Sequence, residues 1–355
     1  MLEDTAPPRV EDAEPTRAPR EAPLPRLALK PVRAAGNAYS ALFSSHIDRG
    51  RFDVVEFDWE GLGAKAYDVV VFHWPTEFFR PTSRKATLKL LAKMARDKLR
   101  GTKFVWVAHN LEPHDGGSMR SHATALMFTA LLDGVIYLSR SSREEARRLY
   151  PPLRRTRELV TVHGRYDAAR PPRPTTADAW ANRLLFFGTV RRYKNAARLV
   201  AAARGVTAEP FSLTVIGTAD DPALAAEIKA AAGEDPRIRI DIRDAFIGED
   251  ELERVVDAHD LVVLPYRNIL NSGVALHALG RNKPILAPRI GSLPELQWEV
   301  GADWVRLFDG EISTEALEAC LAAPLPGTPA PDLADFAWPK IGAEISAFLA
   351  ALRRR

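Results

Sequence analysis

Short apolar runs alternate with segments of helical period through most of the 355-residue chain. Runs at 54–57, 67–73, 103–109, 135–138 and 159–163 are largely apolar at successive positions, which predicts strands covered on both faces. Between them, 84–100, 118–132 and 142–149 repeat apolar residues at helical spacing. A second series follows, with strands at 184–187, 213–216, 238–242, 261–265, 284–287 and 305–308. Its helices fall at 196–204, 222–232, 249–259, 273–280 and 314–323. Strands apolar on both faces and separated by helices form parallel sheets. The chain therefore reads as α/β, with two tandem doubly wound, Rossmann-like domains facing a cleft, since such sheets bind ligands at the carboxyl ends of their strands.

Breaks in the pattern divide the chain. Residues 1–36 are rich in Pro, Glu, Arg and Ala without apolar period and read as a disordered tail, with order beginning at Asn37. A first domain spans 37–167, a proline-rich linker 168–182 and a second domain 183–330. A last amphipathic helix lies within 331–355.

Composition narrows the class. At 46% hydrophobic and 27% charged, the chain is neither wholly disordered nor a fibre nor a membrane bundle. No apolar run nears the 18 residues or so of a membrane span, and the N-terminus has no signal-peptide core. One cysteine, Cys320, sits among apolar neighbours, which fits a reducing cytoplasm. The net charge of +3 hides an asymmetry: residues 37–175 carry 23 basic and 15 acidic side chains, and residues 176–355 carry 20 and 25. Two surfaces with different partners are expected.

The second half holds anion-binding candidates. A strand ends at Gly188, and Arg191, Arg192 and Lys194 follow just before a helix. Cations beside a helix N-terminus attract an anion such as a diphosphate, although a solvated basic loop has the same sequence. After the strand at 261–265, a polar loop through Asn268 leads to Asn271, Ser272 and Gly273. There Ser or Asn can cap the next helix, and Gly lets a phosphate reach free backbone amides. His277, one turn further, either reaches a nucleotide ribose or packs. Gly291-x-x-Pro294-Glu295 delivers Glu295 to a first helical turn, where it serves a ligand or the helix. Asp220, Asp221, Glu249, Asp250 and Glu251 precede helices and read as caps instead of metal ligands.

Gly188 with Arg191 and Lys194, the helix before Lys283-Pro284, and Gly291-x-x-Pro294-Glu295 together resemble the donor-binding half of GT-B glycosyltransferases. The resemblance is to the family 4-like enzymes of bacterial exopolysaccharide and lipid-linked oligosaccharide assembly, over most of 37–350. It implies a hexosyltransferase moving a sugar from a GDP- or UDP-sugar to a saccharide or lipid-linked acceptor. The first domain would bind acceptor, the second nucleotide-sugar, and the final helix would return to the first. Arg191, Lys194, Ser272 and Gly273 would hold the donor diphosphate, with Gly188, Asn268, His277 and Glu295 near nucleoside or sugar. The family generally needs no bound metal, so no cofactor beyond the donor is expected. One departure stands out: the family's two glutamates, eight apart, fall here on Ile269 and His277.

The first half gathers different chemistry at its strand ends. His73, Trp74 and Glu77 follow one strand, His109, Asn110, His114 and Asp115 another, and His163 ends the last. No spacing matches a helical His pair or a Cys–His array, so no metal site is expected. If the enzyme inverts, His109 or Asp115 could take the proton of an attacking hydroxyl, the two being the catalytic candidates of the site. The resemblance sets a histidine like His109 against the donor sugar; the other reading is a strand-end His bonded to backbone. His73, Trp74, Glu77, Asn110, His114 and His163 would border the acceptor cleft.

In the helix at 84–100, Lys85, Lys89, Lys93, Arg96 and Arg100 form one stripe, with Leu88, Leu91, Ala95 and Leu99 on a neighbouring face. The stripe is either a solvated face over core or a surface for anionic lipid headgroups, each cation contributing about 1 kcal/mol. No nucleic-acid motif accompanies it. The expected place is the cytoplasm, peripheral on the inner face of the plasma membrane. Two rival functions share the fold: a non-catalytic scaffold that lost the glutamate pair, and a sugar-nucleotide epimerase.

Overall fold

The computed structural model describes residues 23–34, 37–111, 119–166, 171, 172, 176, 180–245 and 247–353. Most of the linker at 168–182, and His114 and Asp115, lie outside these residues.

In chain order the first unit comprises β1 (Arg26–Lys30), α1 (Ala38–Ser45), β2 (Asp53–Glu56), β3 (Val69–Phe72), α2 (Thr76–Phe79), α3 (Arg84–Leu99), β4 (Lys103–Ala108), α4 (Met119–Leu131), β5 (Gly134–Tyr137), α5 (Arg140–Leu149) and β6 (Arg157–Val160). Its six strands are all parallel, in the order β2-β1-β3-β4-β5-β6. The β-branched run Val69-Val70-Val71 is fully buried on both faces, as an inner parallel strand requires.

The disordered tail expected at 1–36 is corrected by β1. This strand is interior, bonded to β2 on one side and β3 on the other, and Leu27, Ala28 and Leu29 are completely buried. Pro25 and Pro31 fall just outside its ladder positions, where their missing N–H groups cost nothing. Five residues among prolines carry too short a pattern to stand out from a proline-rich tail.

The second unit comprises β7 (Arg183–Phe187), α6 (Ala196–Ala203), β8 (Ser212–Thr218), α7 (Pro222–Ala232), β9 (Ile238–Arg243), α8 (Glu249–Asp257), β10 (Leu261–Val263), α9 (Gly273–Gly280), β11 (Ile285–Pro288), α10 (Leu293–Val300), β12 (Val305–Phe308) and α11 (Thr314–Ala322). Its parallel sheet runs β12-β11-β10-β7-β8-β9, so strand order reverses between β7 and β10. In the first sheet the reversal falls between β1 and β3. Crevices for ligands open at such reversals. Cys320 is buried, and burial raises its thiol pKa.

The final helix, α12 (Trp338–Arg353), packs on the first unit. Trp338, Ile341, Ile345, Leu349 and Leu352 join Leu27, Leu29, Val69, Val71, Val105 and Ile136 in one buried cluster on a single face of the first sheet. A side chain at Gly342 would meet the His46 carbonyl at 2.3 Å, so the helix and α1 touch backbone to backbone.

Lys283, part of the family resemblance, has a structural role. Its ammonium donates to the Asp257 carbonyl at 3.3 Å, beside an ion cluster in which buried Arg281 meets Asp257 and Glu253.

Candidate active site

The strand reversal in the second sheet brings together the residues expected to bind an anion. Gly188 leaves β7 with φ +103, a left-handed geometry that suits glycine. Its neighbour across the ladder is also glycine by necessity: a Cβ at Gly217 would lie 1.9 Å from the Gly188 carbonyl oxygen. A short 3₁₀ turn, Arg192–Lys194, ends at Asn195 with φ +58 and launches α6. That reversal turns Lys194 back toward the strand ends. A Cβ on Gly188 would stand 3.7 Å from Lys194 Nζ and 3.9 Å from the side chain of Val274, in the first turn of α9. Lys194 is only 9% exposed and lies 5.7 Å from the Tyr266 ring centre. Burial, then the charge of Arg191, pull its pKa down to about 8, and no carboxylate of the described residues acts on it.

The two arginines are placed differently. Arg191 is exposed and pairs with Asp220 at 3.4 Å; Arg192 is exposed and pairs with Asp221 and Glu227. Asp221 also accepts from the Ala223 and Leu224 amides, so it caps α7 as expected. Glu249, Asp250 and Glu251 fill the first turn of α8.

Ser272 caps α9, its hydroxyl accepting from the Ala275 amide at 3.2 Å. Gly273 begins the helix with the Tyr166 hydroxyl packed against it, 2.8 Å from where a Cβ would sit. Burial raises Tyr166 to about 12. Asn268 is exposed on the approaching loop. His277 lies between Tyr166 and Phe187; burial lowers it to about 4, and its Nε2 is buried without a partner among the described residues.

Glu295 occupies the first turn of α10, but its oxygens face another helix. They accept from the backbone N–H groups of Arg140, at 2.8 Å, and Ser141, at 2.6 Å, at the start of α5 in the first unit. Those two amides have no partner within α5, and an acidic side chain meets them. Where a donor ligand was expected, the structure shows a carboxylate bridging the units. A cavity of about 310 Å³ lies beside this bridge, with His163 and Thr161 on one wall and Asn271, Ser272 and Glu295 on the other.

The strand ends of the first unit bring His73, His109 and His163 around Tyr39, with Trp74 against the first two of these rings. Trp74 stacks on His109 with ring centres 4.8 Å apart. His73 Nδ1 lies 3.2 Å from His109 Nε2. Asn271 donates to the His109 carbonyl at 3.3 Å, which ties the α9 loop to β4 across the cleft. His163 Nδ1 bonds the Gly164 carbonyl, and burial lowers the ring to about 4. Asn110 is exposed.

Glu77 forms an ion pair with Lys30, whose ammonium lies 4.3 Å from the Trp59 ring centre. Burial lowers the pKa of Lys30, and its bond to Glu77 opposes that shift. This pair spans the β1/β3 reversal. Lys30 lies in β1, inside the segment expected to be a disordered tail, and nothing in the sequence marks Tyr39, a buried residue of α1, as part of the site. The alternation of Leu27 and Leu29 was the only signal for the former.

On α3, Lys85, Lys89, Lys93, Arg96 and Arg100 are all exposed. The apolar face differs from expectation: Thr87, Leu91, Met94 and Asp97 are buried, whereas Leu88 and Leu99 stand out among the cations, Leu99 at 91% exposure. Asp97 accepts from the Gly63 and Lys65 amides, which explains a carboxylate on the buried side. Among the described residues, no helix is long and apolar enough to cross a membrane, and no group of His, Cys, Asp or Glu side chains could hold a metal ion.

Residues 181–321 match the family described as glycosyl transferases group 1. The GDP-mannose:glycolipid 4-beta-D-mannosyltransferase of Xanthomonas campestris pv. campestris is 34% identical over 284 residues, 78% of this chain and 77% of that protein. Among solved structures, Anabaena HepE in complex with UDP-glucose superposes with a TM-score of 0.60 at 14% identity, covering 93% of this chain and 97% of that one. Sucrose-phosphate synthase of Thermosynechococcus elongatus superposes with a TM-score of 0.58 at 16% identity, covering 92% and 94%.

Proposed function

This chain belongs to the group 1 glycosyltransferases of GT-B architecture, and from that premise we propose that it moves mannose from GDP-mannose to the saccharide of a glycolipid. The donor and acceptor are those in the name of its Xanthomonas relative. The observation that carries the reading is Lys194, a buried cation with no carboxylate partner among the described residues, set against Gly188 and the first turn of α9. A charge desolvated without a partner is costly, and a bound diphosphate supplies the partner.

In this reading the diphosphate lies along Gly188, with Lys194 and the free amides at Ser272, Gly273 and Val274 taking up its charge as the glycosidic C–O bond breaks. Arg191 lends a second cation from the rim. Asn268 and His277 face nucleoside or sugar, and His277 supplies a polar group where relatives carry a glutamate. His109 meets the sugar from the first unit, and Trp74, Glu77, Asn110 and His163 border the acceptor; His73, expected there from the sequence, is sealed behind His109 and does not reach the cleft. No step calls for a metal ion. The exposed face of α3, with Leu88 and Leu99 between its cations, holds the enzyme peripherally on an anionic cytoplasmic membrane surface where a glycolipid resides.

Thermal unfolding with GDP, GDP-mannose, UDP and UDP-glucose tests the donor. GDP and GDP-mannose should raise the midpoint; a ligand at a hundred times its Kd stabilises by about 2.7 kcal/mol. Radiolabelled mannose should then pass from GDP-mannose into added glycolipid, and not be converted without acceptor, as an epimerase would do. Absence of a shift with every nucleotide would overturn the reading.

A further inference from the structure

Two imidazoles meet inside the first unit, where β3 and β4 end. Nδ1 of His73 lies 3.2 Å from Nε2 of His109, so one ring donates the hydrogen and the other accepts it. His73 is sealed at 1% exposure, its ring perpendicular to Phe43 at 4.6 Å, and its Nε2 has no partner among the described residues. His109 keeps 8% exposure and is held by Trp74 on its face and Tyr39 at its edge. Burial pushes His73 down to about 3; burial, then His73 and His163, push His109 well below its ordinary value. Each ring therefore carries one N–H.

The position of that hydrogen follows from His73. On Nε2 it would be a buried donor without an acceptor, which is the rarer and costlier arrangement. On Nδ1 it has an acceptor in His109 Nε2, and only a lone pair stays unmatched. His109 must then carry its own hydrogen on Nδ1, which has no hydrogen-bond partner among the described residues. The partner bond on one ring nitrogen sets what the other nitrogen can do.

We propose that His73 is a positioning residue whose Nδ1–H holds His109 as the Nδ1–H tautomer, so that His109 meets the reacting sugar as a hydrogen-bond donor and not as the base for the acceptor proton. The group it meets is then an oxygen acceptor, a sugar hydroxyl or ring oxygen. This rests on reading the cleft as a glycosyltransferase site, whereas the tautomer itself does not. It also revises the acid–base role expected for His109 from the sequence.

Two-bond proton–nitrogen correlation spectra of the ¹⁵N-histidine-labelled, unliganded protein read the tautomer directly, with His109→Gln providing the assignment. Nδ1 of His109 should give a pyrrole-type shift and Nε2 a pyridine-type shift; the reverse pattern overturns the proposal. Two variants test the consequence. His73→Asn keeps an amide able to donate where Nδ1 stood, and His73→Leu removes the donor while filling the space. His73→Leu should lower kcat about tenfold, the worth of one hydrogen bond, with donor KM within about threefold. His73→Asn should stay within about threefold of the parent in both. Equal losses in both variants, or none in either, overturn the proposal. Should the parent protein transfer no sugar at all, the glycosyltransferase reading fails, and the spectra still decide the tautomer.

Discussion

Glu295 and Arg140 join the two units: the carboxylate of one accepts from the backbone N–H of the other at 2.8 Å, and its second oxygen takes Ser141. Ser139 already caps α5 by accepting from Ser142, so all of the first three amides of that helix are matched. Glu295→Ala should cost roughly 1 kcal/mol, the usual worth of a cap, read as a lower urea midpoint. Nucleotide affinity by calorimetry should stay within about threefold. A collapse of affinity at unchanged stability would instead make the carboxylate a donor ligand.

Trp338 lies beyond the second unit in the chain yet is wholly buried in the core of the first. Its indole N–H donates to the Arg165 carbonyl at 2.8 Å, and Gly164 has no room for a side chain beneath its ring. Trp338→Ala should therefore destabilise by roughly 3–5 kcal/mol in denaturant titration, with Trp338→Phe losing less. A loss below about 1 kcal/mol would mean that α12 rests only loosely on the first sheet.

What was legible in the sequence was whatever depends on near neighbours. Val69 to Phe72 announce an inner strand because both faces are buried, and Gly188, Lys194 and Ser272 lie in short segments whose strand-to-helix turns fix their place. The β1 strand was hidden because Leu27 and Leu29 are the whole of its signal, between prolines. Contacts made across crossovers were hidden for another reason. Glu295 finds its partners 155 and 154 residues away, and His73 meets His109 36 residues on. Strand order, not spacing, creates those meetings. Leu88 and Leu99 show the limit of periodicity itself, since an apolar residue on a helix can face outward when its surroundings supply a use for it.

The α3 surface has such a use in the proposed membrane contact. Replacing Lys89, Lys93 and Arg96 with Gln removes about 3 kcal/mol of attraction to an anionic bilayer, close to a hundredfold in partitioning. Co-sedimentation with vesicles containing phosphatidylserine should fall accordingly and should weaken in the parent as salt rises. Vesicles of phosphatidylcholine alone should bind neither protein. All three residues are exposed, so the thermal midpoint should hold. Equal binding of parent and variant to anionic vesicles would remove α3 from the membrane contact.

Lys194 makes opposite demands on folding and on donor binding. Burial holds it near 8 in the folded chain, below its ordinary 10.5. Between those values the unfolded chain keeps a proton that the folded chain has released, so this residue's contribution to stability rises with pH across that window. Below pH 8 its destabilising effect is fully present. The diphosphate requires the charged form, so donor affinity should be full below about pH 8 and fall above it. Binding at pH 8–9 should also take up protons, seen as a heat that changes with buffer ionisation enthalpy. Lys194→Met strands no carboxylate. It should raise the midpoint of the unliganded protein by a few degrees, abolish the shift caused by GDP and remove the pH dependence of stability near 8. A variant that is less stable than its parent would show that the ammonium has a partner in the folded protein and is not reserved for a ligand.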